Sequence, residues 1–257
     1  MGTSKTNGQY IGAANFTRGA FSSASAFTLI ELLVVVFLIV LLMYLMTPLM
    51  NFIKGGKDLT KSASDIQGTL ELARSYAMAK NTYVYVGLQE VDVVQANLIT
   101  PNYTPGVGRI ALAAVVSTTG IRPYTNTPGA LTSNIAPLGK LLYFDNLHIT
   151  NSVSLTNGNL AIRPSNNCID LSGVSSKTTF AWPVTGTANY SFSNIVIEFS
   201  PRGIPTVQTN SSCYDSSIKP FLEIALLPSH GNTATSSSNQ AAIQINGITG
   251  AVQIYRP

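Results

Sequence analysis

Residues 72–88 read LARSYAMAKNTYVYVGL, and the period of the apolar residues changes in the middle of that stretch. Before it, Ile66, Leu70, Ala73 and Ala77 recur at spacings of four, three and four, which places them in one stripe along a helix. From residue 81 onward, in NTYVYVGL (81–88), β-branched and aromatic residues alternate with the two-residue period of a strand. A helix that hands over directly to strands predicts an α+β fold, with the apolar stripe of the helix packed on a sheet.

Downstream the strand pattern recurs. RIALAAVVS (109–117), KLLYFDNLHI (140–149), NIVIEFS (194–200), FLEIALL (221–227), AAIQI (241–245) and AVQIY (251–255) are separated by Gly, Pro and Asn clusters. Residues 81–257 are thus read as one β-rich globular head, long enough for a packed core. The stretches 119–139 and 228–239 read as long polar loops.

Upstream, DLTKSASDIQGTLELARSYAMAK (58–80) reads as an amphipathic helix, with Asp58 or Thr60 as its cap and Glu71 and Arg74 one turn apart. It follows FTLIELLVVVFLIVLLMYLMTPLMNFI (27–53), whose only ionisable groups are Glu31 and Tyr44. As a helix, residues 27–47 would extend about 30 Å, the thickness of a bilayer core. Lys5 and Arg18 lie before this run, which orients the N-terminus inward. Phe27–Lys80 therefore reads as one long helix. Its first half is in the membrane, its second half is on the head, and Pro48 and Gly55-Gly56 interrupt it. A carboxylate at Glu31 is costly in lipid, about 2.5–3.5 kcal/mol, and calls for a function or for snorkelling to the headgroups.

The small residues Ala24-Ser25-Ala26 precede the apolar run instead of following it, the reverse of a secretory signal. Ala26-Phe27-Thr28-Leu29-Ile30-Glu31-Leu32 resembles the class III signal of type IV prepilins and type II secretion pseudopilins, with Ala26 where that family usually has Gly. The resemblance implies cleavage between Ala26 and Phe27, N-methylation of Phe27, and pairing of Glu31 with a neighbouring subunit's new amine. It also implies a helix-loosening role for Pro48. Ile197-Glu198-Phe199-Ser200-Pro201-Arg202-Gly203 and the terminal AAIQINGITGAVQIY resemble hairpins of the GspH/FimT-like minor pseudopilins. The run at 72–88 resembles verrucomicrobial prepilin-like cassette proteins.

The expectation that follows is an α+β pilin-like chain. It has a cleaved leader (1–26), a transmembrane assembly helix (27–54), its amphipathic continuation (55–80) and an antiparallel β head (81–257). Its function would be that of a minor pseudopilin or other filament subunit in the bacterial inner membrane, single-pass, with the head outside and later in a periplasmic or surface filament. Its partners would be other pilin or pseudopilin subunits, the prepilin peptidase/N-methyltransferase and inner-membrane lipid. The alternatives are an anchored binding protein or adhesin that never polymerises, and a major pilin.

Composition narrows the function classes. The net charge is +4, but Lys and Arg are scattered, so no nucleic-acid partner is expected. Outside the cytoplasm Cys168 and Cys213 can pair, closing a loop worth about 3–4 kcal/mol; the alternative is two lone thiols. With His148 and His230 they make no zinc pattern, and Asp170 and Asp215 lack a calcium-loop spacing. Asp145 and His148 read as a surface pair. No nucleophile elbow, zincin or P-loop motif occurs, so neither an enzyme nor a cofactor or metal is expected.

Overall fold

The computed structural model describes residue 2 and residues 28–93, 106–124, 129–155, 158–164, 168–185, 190–208, 220–234 and 239–257; side chains are described for all of these except 45–58 and 159. The chain divides into two compact units, Met1–Thr47 and Pro48–Pro257.

The one α-helix among the described residues, α1, spans Leu29–Lys80. Its start is a capping box. Glu31 Oε2 accepts from the Thr28 backbone N–H and from Thr28 Oγ1, both at 2.8 Å, and Thr28 Oγ1 accepts from the Glu31 N–H at 3.4 Å. Two donors that the first turn would leave unpaired are satisfied this way. These bonds hold the Glu31 carboxyl below its ordinary value. Leu29–Tyr44 is exposed on every side.

The expected membrane crossing is not found. Among the described residues no helix is long and apolar enough to cross a membrane. The membrane-spanning first half of the helix is therefore corrected, and the single-pass inner-membrane placement with it. The interruption is corrected too: the backbone is helical through Pro48, Gly55 and Gly56.

In the second unit α1 buries Leu59, Ala63, Ile66, Leu70, Ala73 and Ala77 completely or nearly so. Thr60 is not a cap but lies inside the helix, and Glu71 accepts from Gln67 Nε2 at 3.1 Å instead of pairing with Arg74.

The strands are β1 (Val84–Asp92), β2 (Gly108–Ser117), β3 (Ala130–Leu131), β4 (Ile135–Pro137), β5 (Leu142–Thr150), β6 (Cys168–Asp170) and β7 (Thr179–Trp182). They continue with β8 (Tyr190–Phe192), β9 (Ile195–Phe199), β10 (Pro205–Val207), β11 (Phe221–His230), β12 (Thr233–Ala234), β13 (Ala241–Asn246) and β14 (Val252–Tyr255). An eleven-stranded sheet runs β10-β9-β1-β2-β5-β11-β13-β14, with β12 and β6 joined to β11 and β4 joined to β2; β3, β7 and β8 form a second sheet. The pairs β6–β11 and β3–β7 are parallel, so the expected antiparallel head is corrected to a mixed one.

The alternation of the strands sorts their side chains into two faces. Val84, Val86, Leu88, Ile110, Leu112, Ile197, Phe199, Ile224 and Ile243 join the helix stripe in one core. On the opposite face Tyr85, Ala111, Ala113, Val115 and Val196 pack under Phe180 and Phe192 of the small sheet. Gly87 makes that close approach possible, since a Cβ there would lie 2.7 Å from both rings. Leu155 and Leu160, in the segment after β5, cover Ala225, Leu227 and Ala242 farther along the same sheet. The second unit is thus three layers deep: helix, large sheet, and a cover made of the small sheet and one loop segment.

Candidate functional site

Three carboxylates that sequence reading did not single out hold charge in the interior of this unit or at its margin. Glu223 is fully buried and receives Arg163 Nε at 2.6 Å, Gln244 Nε2 at 3.2 Å and the Cys168 thiol at 3.4 Å. Arg163 also donates from Nη1 to the carbonyls of Leu155 and Leu160 and from Nη2 to the carbonyl of Ser152. The pair therefore pins the covering loop to β11. Glu198, also buried, accepts from Arg122 Nε at 2.8 Å and from the Tyr124 hydroxyl at 2.6 Å. The Arg122 guanidinium lies 5.2 Å from the centre of the Tyr83 ring, so residues 122–124 are clamped to the sheet in the same way. Glu90 pairs with His148 Nδ1 at 2.7 Å.

None of these arrangements presents a free nucleophile or base. Burial, then the charge of Glu223, pushes the Cys168 thiol up to about 12, so it is protonated and inert at neutral pH. Burial, followed by the charge of Glu198, raises the Tyr85 and Tyr124 hydroxyls above their ordinary range. Asp170, considered above as a calcium ligand, instead accepts from the backbone N–H groups of Ser152 and Ser172, both at 2.9 Å. No group of three or more metal-ligating side chains occurs among the described residues.

The His148 imidazole is held above its ordinary 6.5, chiefly by the hydrogen bond to Glu90, against a smaller opposing effect of burial. A raised folded-state value means that the pair's contribution to stability is full below the unfolded value near 6.5. It is lost as pH rises through the folded value. An NMR titration of the ring should therefore give a midpoint above 6.5 that falls in Glu90→Gln. A wild-type midpoint at or below 6.5 would exclude the ion pair.

The remaining chemistry is at the surface. Tyr143 on β5 and Tyr190 on β8 form a tilted aromatic pair, centres 5.8 Å apart and planes at 56°. The Arg109 guanidinium lies 5.6 Å from the Tyr143 ring centre and bonds Asp145. Tyr143 is 46% exposed, and the Asp145 side chain 51%. Trp182 sits directly across from Tyr190 on the neighbouring strand. A bulge lies at the end of this shelf. The register between β2 and β5 shifts at Gly108/Arg109, and Asn146, left without a partner there, takes a left-handed φ of 61°. Before the bulge Phe144 points into the helix-side core; after it Leu147 and Ile149 do. Sequence reading paired Asp145 with His148, but the bulge sends them to different partners, Arg109 and Glu90.

Ala26 and Phe27 lie outside the described residues, as do Cys213 and Asp215. Pro48 is within helical backbone, and Cys168 is a free thiol. Glu31 is engaged with Thr28, a role that the Thr-x-x-Glu spacing at 28–31 could have signalled. No family model, curated protein or solved structure matches the chain. The pilin-type identification, and assembly through a long apolar N-terminal helix, are therefore corrected. They require a helix long and apolar enough to cross a membrane, and none occurs among the described residues.

Proposed function

We propose that the β-rich unit is a non-catalytic recognition domain and that the shelf of Tyr143, Tyr190, Arg109 and Asp145 is its contact surface for a partner polypeptide. The observation that carries this reading is an aromatic pair in which Tyr143 is exposed, Tyr190 is partly buried beside it, and the Arg109 guanidinium lies over the Tyr143 ring. Tyr, Trp and Arg are enriched at protein interfaces and dominate their hot spots, because they offer large rigid contact area with a polar tip. The buried ionisable groups support the non-catalytic part, since Glu198 and Glu223 serve to hold segments of the cover in place. Nucleic acid fits poorly: Arg109, Arg122 and Arg163 are each matched to a carboxylate.

The test is selection of a phage-displayed peptide library on the immobilised full chain, followed by affinity measurement. Tyr143→Ala is expected to weaken recovered peptides by about 30-fold, the effect of losing a hot spot of roughly 2 kcal/mol. Arg109→Ala should weaken the same peptides. Undiminished affinity in both variants, or sustained turnover in a broad hydrolase and transferase substrate panel, would overturn the proposal.

A further inference from the structure

The two ends of the large sheet differ. At one end β10 begins with Pro205. Ser200 N–H bonds Ile204 O, and Glu198 faces Thr206, which leaves Pro205 and Val207 on the outer side. A proline has no N–H to offer there, which blocks an edge against further pairing.

At the other end β14 has no such block. Asn246 N–H bonds Ala251 O, and the register pairs Gln244 with Gln253 and Ala242 with Tyr255. In an antiparallel ladder alternate pairs exchange hydrogen bonds, so Gln253 and Tyr255 point their backbone groups inward, at β13. Those of Val252 and Ile254 point outward. Gln67 Nε2 of α1 caps the Val252 carbonyl at 3.0 Å, in agreement with that phase. The outward groups of Ile254 remain as the edge.

A groove of about 420 Å³ runs beside this edge, lined by Ile162, Pro164, Ile254, Tyr255, Arg256 and Pro257. Ile162 stands 80% exposed over it. Arg256 bonds only neutral groups, Thr60 Oγ1 and Asn239 Oδ1. Arg109, Arg122 and Arg163 each hold a carboxylate, whereas Arg256 forms no salt bridge among the described residues. A half-buried guanidinium without an anion favours a partner that brings one.

We propose that the outer edge of β14 takes up an extended polypeptide segment as an added strand. Alternate apolar side chains of the segment would lie in the groove, and a carboxylate would rest on Arg256. The backbone bonds supply affinity, while the groove and the arginine supply selectivity. The site is short, because Gln67 closes it at Val252 and leaves the outward groups of Ile254.

The test uses the full chain, isotopically labelled, and the synthetic peptide Thr-Val-Thr-Val-Thr-Asp with blocked ends. The peptide is expected to shift the Ile254 amide resonance and to slow its hydrogen exchange at least tenfold. A peptide ending in Lys should bind at least fivefold more weakly, and Arg256→Gln should remove that difference. Of two peptides N-methylated at alternate residues, in opposite phases, one should bind like the parent and the other should not bind. Tyr143→Ala should leave all of this unchanged, which separates the edge from the aromatic shelf. The proposal is overturned if Ile254 gains no protection, if both methylated peptides bind like the parent, or if Tyr143→Ala abolishes binding.

Discussion

Glu223→Ala is expected to destabilise the second unit by about 3–5 kcal/mol, the effect of leaving one member of a buried ion pair alone. Arg163 would keep a charge whose side chain is only 6% exposed, with no anion against it. It would still be held at three backbone carbonyls, so it could not swing out to water without releasing the segment from Ser152 to Leu160. The loss should therefore appear as a lower midpoint in urea. It should also appear as faster hydrogen exchange in that segment before global unfolding. A loss below about 1 kcal/mol would mean that the pair is solvated, since exposed pairs contribute no more than that. The consequence for function is direct: the Glu223–Arg163 pair orders the cover on the same sheet that carries both proposed contact surfaces.

Leu70→Ala is expected to lower stability by about 2–5 kcal/mol, the range for emptying a packed core position. Leu72→Ala, two residues away on the same helix, should change it by less than about 0.5 kcal/mol. Leu70 is fully buried against the sheet, and Leu72 is 54% exposed. The chemical change is the same in both, so the difference reads burial alone. Equal effects in chemical denaturation would show that the helix stripe does not seat on the sheet.

These two sites differ in how far they can be read before folding. The stripe Ile66, Leu70, Ala73 and Ala77 follows from a period of 3.6, and each of these residues is buried. The seven alternating stretches quoted above each overlap a strand of the large sheet. Local periodicity carries such information because side-chain direction is set by backbone geometry within a few residues.

The short strands β3, β4, β6, β7, β8, β10 and β12 have no comparable signal. With only two to four residues each, they are too short to establish a period. The stretch 119–139, read as loop, contains β3 and β4 for this reason.

Length misled in the N-terminal unit. An apolar run with a carboxylate near its start suggested a membrane and a partner amine. The carboxylate instead satisfies its own helix end through Thr28. The proposed contact surfaces were the least legible. The aromatic shelf depends on Tyr143 of β5 meeting Tyr190 of β8, and β14 is an edge only because of the strand order. Residue order along the chain specifies which segments are helix and which are long strands, since those are local properties. Which carboxylate meets which arginine depends on contacts across as many as 76 residues of sequence, as between Arg122 and Glu198, and which edge is left open depends on contacts as distant as the 185 residues between Gln67 and Val252. Such contacts exist only once the layers have packed.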